Sequence, residues 1–291
     1  MTTATLESEP TPASAEVTID EHEPSGARLG TWLRDVVVMT RRNLLHIRRE
    51  PMQLSDVTIQ PALFVGLFVY VFGSAMVIPG GTYKEFAIGG LLTMILVTAT
   101  PGTAVGISTD LSTGVIDRFR TLPMAPSTIL AGRSLADLLS LVLGATIVAL
   151  TGLLIGWRPD ASLPAVVAGF ALVLFFAYAF SWAMVCMGMA VTDPESAQAL
   201  SFLLVFPIAF VSYALVPTNG MPAWLRTVAN WNPLSSVSAA ARELFGNPNP
   251  AASSGSWPLE HAIPVALGWS ALILVIAVPV AVRLFRHRTA D

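Results

Sequence analysis

The sequence predicts an all-α polytopic membrane protein with six transmembrane helices and both termini cytoplasmic. Three observations carry this. Of 291 residues, 54% are hydrophobic and only 12% charged, with a mean hydropathy of +0.66, whereas soluble domains average about 25% charged. Six apolar runs reach the ~20 residues that a helix rising ~1.5 Å per residue needs to cross the hydrocarbon. Lys and Arg collect in alternate connections.

The expected spans are Val57–Ile78, Phe86–Ser108, Leu135–Gly156, Pro164–Val191, Ala199–Val216 and Ala262–Arg283. A further apolar run around Met221–Phe245 is too polar to span and is broken by Trp231-Asn232-Pro233. It reads as a short extracellular interfacial or re-entrant helical element between spans five and six. Trp224 and Trp231 suit the membrane boundary, and Ser238–Phe245 is expected as a short helix reaching Gly246. With the N-terminus inside, the cytoplasmic segments hold twelve cations: Arg28, Arg34, Arg41, Arg42, Arg48, Arg49, Arg118, Arg120, Arg133, Arg283, Arg286 and Arg288. The outer segments hold four, Lys84, Arg158, Arg226 and Arg242. The connection Thr192–Gln198 has only Asp193 and Glu195, but acids count little in this rule.

Residues 1–27 carry six acids, no Lys or Arg and no apolar core, so they read as a disordered cytoplasmic tail rather than a signal peptide. The tail's −6 within a net charge of −3 leaves +3 on the rest. Residues 28–50 place the charged pairs Arg34-Asp35, Arg41-Arg42 and Arg48-Arg49 seven apart, on one stripe of a helix. Leu29, Trp32, Leu33, Val36, Val37, Thr40, Leu44 and Ile47 form the opposite face, and Pro51 ends the element. Two readings stand together: an anchor lying on the inner lipid surface, and a docking surface for a cytoplasmic partner. Residues 51–291 form the membrane domain.

The connection between spans two and three runs from Asp110 to Pro126 and extends the second span before Pro123 and Pro126 stop any helix. A plain connector needs only a few polar residues. This one offers Asp117, Arg118 and Arg120 around an exposed Phe119, which are features of a protein contact. Several chemistries are unsupported. The one lysine, Lys84, follows no Gly-rich phosphate loop. Four histidines, His22, His46, His261 and His287, lie apart without ligand spacing, and the single Cys186 excludes an internal disulfide. Asp56, Asp110, Asp137 and Asp193 all fall at or near span ends. An ion-coupled transporter generally needs an ionisable relay inside the membrane, although backbone carbonyls can coordinate Na⁺. The driving energy is therefore expected from another polypeptide. The alternative is an ion-coupled secondary multidrug transporter.

Two stretches resemble a known family. Gly114-Val-Ile-Asp-Arg-Phe-Arg-Thr-Leu-Pro-Met-Ala-Pro126 with Leu130-Ala-Gly-Arg133-Ser-Leu-Ala-Asp137 is the first. Met221-Pro-Ala-Trp-Leu-Arg226 with Asn232-Pro-Leu-Ser235 and Ala241-Arg-Glu-Leu244 is the second. Over residues 28–288 the chain resembles the ABC-2 type permeases, and among them the daunorubicin/doxorubicin resistance (DrrB-like) permeases. The resemblance implies the membrane half of an exporter in the bacterial plasma membrane, with no nucleotide-binding or catalytic site and no metal or cofactor on this chain. Its implied partners are two copies of an ATP-binding subunit carrying ATP and Mg, a second permease (identical or paralogous) and membrane lipids, with no nucleic acid. The family's coupling helix maps onto about Thr113–Thr121 and its interface helix onto Arg28–Glu50. The residues expected to meet the ATPase are Asp110, Asp117, Arg118, Phe119, Arg120, Thr121, Arg41, Arg42, Arg48 and Arg49. Where the family often has Asn-Pro-Leu-Thr, this chain has Ser235.

Phenylalanines recur at i, i+4 and i+8 in two spans: Phe64, Phe68 and Phe72, then Phe202, Phe206 and Phe210. In family terms these spans approach the dimer axis, so the stripes can line an apolar path for an amphipathic or apolar cargo, an antibiotic or a lipid. The competing reading is that they face lipid or pack between helices. Pro101 and Pro207 are candidate hinges. Fifteen arginines against one lysine, with abundant Ala, Val and Gly, fit a G+C-rich bacterial genome.

Overall fold

A computed structural model of the chain describes residues 34, 36–38, 40–41, 51–114, 126–191, 193–250 and 255–288. Among these the regular structure is helical, with one isolated bridge between Ile78 and Gly81. The helices are α1 Pro51–Gly73, α2 Tyr83–Ala99, α3 Pro101–Ser112, α4 Pro126–Ile155, α5 Leu163–Ala190, α6 Pro194–Phe210, α7 Ala223–Trp231, α8 Pro233–Phe245, α9 Trp257–Glu260 and α10 Ala262–Arg288. Helical residues 34, 36–38 and 40–41 precede them. Arg34 and Arg41 are exposed, as the charged stripe requires. Val36 and Thr40 are buried, and the Thr40 hydroxyl donates to the Gly132 carbonyl of α4 at 3.2 Å. Val37, expected on the apolar face, is exposed; contact with the start of α4 sets the buried face, and Val37 points away from it. The acidic tail and the rest of 28–50 lie outside the described residues.

Five helical segments are long and apolar enough to cross a membrane: Ser55–Gly73, Tyr83–Ser112, Ala131–Ile155, Leu163–Ala190 and Ala262–Phe285. The second is the core of the bundle. Some 78% of its most apolar stretch is buried within the chain, against 17% for the first, which lies at the periphery. Neighbours explain the difference: α2 meets α1, α4, α5, α6 and α8, whereas α1 packs only on α2 and α4 among the broader contacts. The remaining layers are α5 against α10, and α3 against α5 and α6.

Two sequence expectations need correction. The fifth span was expected at Ala199–Val216, but α6 runs from Pro194 to Phe210, 17 residues. At ~1.5 Å per residue that is about 25 Å, short of a ~30 Å hydrocarbon core. The apolar run Val211–Val216 continues as non-helical backbone, because its polar groups are taken by other helices. The second correction concerns Ser238–Phe245: the helix already begins at Pro233 and has 13 residues. Asn232 caps it, accepting the Leu234 N–H at 2.9 Å, and Pro233 stands where a missing N–H costs nothing. Gly246 closes it at φ +67°, in the left-handed region, and a side chain there would also press into the Asp160 backbone.

The helix α8 is buried on nearly every side, with Leu234 through Arg242 all inside. Its run Ser-Ser-Val-Ser-Ala-Ala-Ala is small enough for close approach, as membrane helix contacts require. Glycines on the facing helices make room. A Cβ at Gly90 would run into the Ala214 carbonyl, and one at Gly169 would sit 2.6 Å from the Phe245 ring. We predict that Gly90→Ala lowers the thermal midpoint in detergent by an amount corresponding to about 1–3 kcal/mol of overpacking. Gly102→Ala, which faces open space, should leave the midpoint unchanged or raise it. Equal midpoints for the two variants would contradict this packing.

Candidate functional site

At one end of the bundle, α3 and α4 hold the two ends of segment 115–125. Asp110 near the end of α3 accepts from the Arg133 guanidinium of α4 at 2.9 Å. Both side chains are largely shielded, at 17% and 20% exposure, so the pair is stronger than an open surface pair. Gly106, one turn back on α3, leaves the space the guanidinium fills. Deeper in, the Thr103 hydroxyl donates to the Asp137 carboxylate at 3.0 Å. Two side-chain bridges therefore close the base of the connection, although α3 packs mainly on α5 and α6. Asp137 was expected near a span end, yet it lies six residues inside the stretch Ala131–Ile155. Its partners make that placement tolerable.

Of the residues expected to meet an ATPase, Asp110 and Arg41 are described, and Asp110 is engaged in the bridge to Arg133. Asp117, Arg118, Phe119, Arg120, Thr121, Arg42, Arg48 and Arg49 lie outside the described residues. Asp193, at the start of α6, accepts the Ser196 backbone N–H at 2.8 Å, and that bond holds its carboxyl below the ordinary aspartate range.

The opposite end is built around the non-helical end of α6. Buried backbone polar groups need an internal partner, and α8 with its cap residue Asn232 supplies several of them. Asn232 Nδ2 donates to the carbonyls of Ile208 at 2.7 Å and Val211 at 2.6 Å. Ser235 Oγ accepts the Tyr213 N–H at 2.7 Å. Arg242 donates from Nη1 to the Tyr213 carbonyl at 3.0 Å, from Nη2 to the Ala214 carbonyl at 2.5 Å, and from Nε to the Phe86 carbonyl of α2 at 2.7 Å. Its guanidinium carbon lies 3.6 Å from the Phe86 ring centre and 4.7 Å from that of Tyr213, within cation–π range. Arg242 is 0% exposed. Among the described residues it forms no ion pair. The far end of α8 is fixed too: Trp157 Nε1 donates to Asn247 Oδ1 at 2.8 Å, and the Asp160 N–H to the Phe245 carbonyl at 2.9 Å.

Arg242 was counted in the sequence as an outer-surface charge, so its role was missed. No local signal marks it: the carbonyls that hold the guanidinium lie 28, 29 and 156 residues away. The Asn232-Pro-Leu-Ser235 stretch gains a physical meaning as well. Ser235 needs only a hydroxyl oxygen, which Thr also provides, so this departure from the family pattern preserves the bond.

The phenylalanine stripes lie on single faces as their spacing predicts. Phe64–Phe68 and Phe68–Phe72 ring centres are 5.8 and 5.2 Å apart, and Phe202–Phe206 and Phe206–Phe210 are 5.7 and 5.1 Å apart. Phe206 and Phe210 are 51% and 55% exposed on the outside of the chain, while Phe68 packs on the core. Pro101 separates α2 from α3, where Thr100 keeps helical angles and its hydroxyl caps Val97. Pro207 sits in the last turn of α6.

Residues 34–245 match the family described as ABC-2 type transporter. The chain belongs to the ABC-2 type transporter family. The daunorubicin resistance ABC transporter permease protein DrrB1 of Streptomyces coeruleorubidus is 31% identical over 249 residues, covering 86% of this chain and 85% of that protein. The putative transport permeases ycf38 of Porphyra purpurea and Cyanophora paradoxa are 27% and 23% identical, covering 74% and 92% of this chain and 75% and 93% of theirs. The match takes in segment 115–125, both proline breaks and the whole of α8. As a family member with these helices, the chain is a multi-pass membrane permease.

The Ser235 bond gives a direct prediction. Ser235→Thr should keep wild-type stability in detergent, and Ser235→Ala should lose about 1–3 kcal/mol, because the Tyr213 N–H is left buried without an acceptor. Paired thermal melts measure this, and equal loss in both variants would contradict the bond.

Proposed function

We propose that this chain is the membrane-spanning subunit of an ATP-driven exporter that moves an amphipathic or apolar compound, a drug or a lipid, out of a bacterial cell. A separate ATP-binding subunit supplies the energy, and two permeases form the path. The observation that carries this reading is the likeness to the DrrB1 permease across 86% of the chain, whose own name assigns it to daunorubicin resistance. The geometry supports it. Segment 115–125 leaves the bundle from two helices bridged at their base by Asp110 and Arg133, so force applied to the segment reaches α3 and α4 together. The basic excess at this end supports a cytoplasmic orientation for it, with both termini inside. Opposite charges at Asp117, Arg118 and Arg120 would fix the register and choice of the docked ATPase.

The stripes Phe64–Phe68–Phe72 and Phe202–Phe206–Phe210, exposed at Phe64, Phe72, Phe206 and Phe210, suit a path shared with a second permease, and their lack of charge suits a cargo taken from the inner leaflet. A residue whose carboxylate is already held by a hydroxyl, as Asp137 is by Thr103, does not by itself make an ion relay.

The test is reconstitution of the permease with its ATP-binding subunit in proteoliposomes, followed by transport of a fluorescent amphipathic compound. Transport should require ATP hydrolysis and persist when an ionophore dissipates ion gradients. Transport that collapses with the ionophore and survives without ATP would instead establish an ion-coupled secondary transporter. In the same assay Arg118→Glu should insert, bind the ATPase and lose at least about tenfold in transport, the equivalent of ~1.4 kcal/mol. Normal transport by a bound Arg118→Glu complex would refute the coupling role of this segment.

A further inference from the structure

We infer that α6 works as a lever with a fixed outer end, and that Arg242 and Asn232 are the positioning residues that hold its pivot. The inference rests on the proposed ATP-driven function and names which part of the chain moves.

The bonds along α6 are distributed unevenly. From Ile208 to Leu215 the backbone is held by Asn232, Ser235 and Arg242 of α8, and the Tyr83 hydroxyl of α2 adds a bond to the Leu215 carbonyl at 3.3 Å. Arg242 joins this group to Phe86 of α2. The block is anchored in turn, because α8 packs on α2, α5 and α10 and its end is tied to Trp157 and Asp160. From Pro194 to Phe206 the pattern reverses. Among the described residues, no side-chain hydrogen bond or ion pair links this stretch to another helix; the Ser201 hydroxyl turns back on its own helix, to Ala197. Its buried face is Ala197, Ser201 and Val205, a strip that packs closely but by van der Waals contact, with no polar bond across it.

Pro207 stands at the border between the two regimes. It cannot donate a backbone N–H, so the ladder of α6 is weakened there. The partner of the free arm is α3, which packs beside it and begins at the other proline break, Pro101. At its far end α3 carries the Asp110–Arg133 bridge and leads into segment 115–125. A push on that segment therefore reaches α3, then the free arm of α6, and stops at the anchored backbone beyond Pro207. Arg242 suits the anchoring role better than a lysine. Its planar fork reaches three carbonyls at once, one on α2 and two on the unwound stretch after α6, which a single ammonium cannot match.

Double electron–electron resonance on the ATPase–permease complex in nanodiscs tests this. Cys186 is replaced by Ser, and doubly labelled permease is diluted into unlabelled chain. Labels at Gln198 and Arg283 report the free arm of α6 against α10; labels at Val216 and Leu163 report the anchored end against α5. All four positions are exposed. On trapping with ATP and vanadate, the Gln198–Arg283 distance should shift by more than the width of its distribution, and the Val216–Leu163 distance should stay. In Arg242→Lys the Val216–Leu163 distance should become nucleotide-dependent and transport per ATP hydrolysed should fall severalfold; Ser235→Thr should behave as wild type in both. A milder Ser235→Ala variant, expected to be intermediate, keeps the test open if Arg242→Lys does not fold. A wild-type Val216–Leu163 distance that shifts with nucleotide, or a Gln198–Arg283 distance that stays fixed while ATP is hydrolysed, overturns the lever. A complex that hydrolyses no ATP at all overturns the proposed function, and the lever with it.

Discussion

The structure depends on one constraint: non-helical backbone buried away from solvent must have its N–H and C=O groups satisfied by protein. The six residues after α6 are mostly apolar in side chain, largely buried and unwound in backbone, which is the costly combination. Three side chains of α8 meet the need, the carboxamide of Asn232, the hydroxyl of Ser235 and the guanidinium of Arg242. Each lies one helical turn or two from the last, so one face of one helix covers the whole unwound stretch. Close packing follows from this requirement. For the guanidinium to reach the Phe86 carbonyl, α2 must present Gly89 and Gly90 at the contact, and a Cβ on either would meet Arg242 or Ala214.

The shielded Arg133 and the buried Arg242 show two ways of placing a cation in a helical bundle. Arg133 is neutralised by Asp110 and sits near the end of the bundle where segment 115–125 attaches. Arg242 has carbonyl dipoles and two aromatic faces in place of a carboxylate. Removing one member of a buried pair leaves a charge stranded, so the Asp110–Arg133 bridge is sensitive to either substitution. The Arg242 cluster has no single complementary charge to exchange, which makes the shape of the guanidinium, and not only its sign, the property that matters. A paired site holds two helices together at the end where force is proposed to enter, and a dipole-solvated site holds the end where movement is proposed to stop.

Much of this was legible in the sequence. The length of the other spans, the Gly246 stop and the i, i+4, i+8 phenylalanine faces follow from local rules of length, capping and periodicity, whereas the Asn232-Pro233 start of α8 was placed five residues late, at Ser238. What escaped was set by tertiary contact. Val211-Ser-Tyr-Ala-Leu-Val216 is as apolar as a helix interior, so hydropathy extended the fifth span through it; the α8 side chains that compete for its backbone are 20 to 30 residues away. Arg242 was read as an outer charge because a lone arginine in a connection between spans is usually solvated, and nothing local reveals three carbonyls arriving from α2 and from the unwound stretch after α6. Val37 failed for the same reason: a helical face is defined by what it packs on, and the start of α4 selects Val36 and Thr40.

Amide hydrogen exchange of the protein in lipid nanodiscs tests most directly whether α8 holds the unwound end of α6. The Tyr213 amide donates to Ser235, so the peptide spanning 211–216 should exchange as slowly as α8, despite having no helix. In Ser235→Ala its exchange should rise by about tenfold, as loss of a bond of about 1–1.5 kcal/mol implies, with α5 unchanged. Wild-type exchange at 211–216 as fast as that of the exposed connection 74–82 would contradict the account.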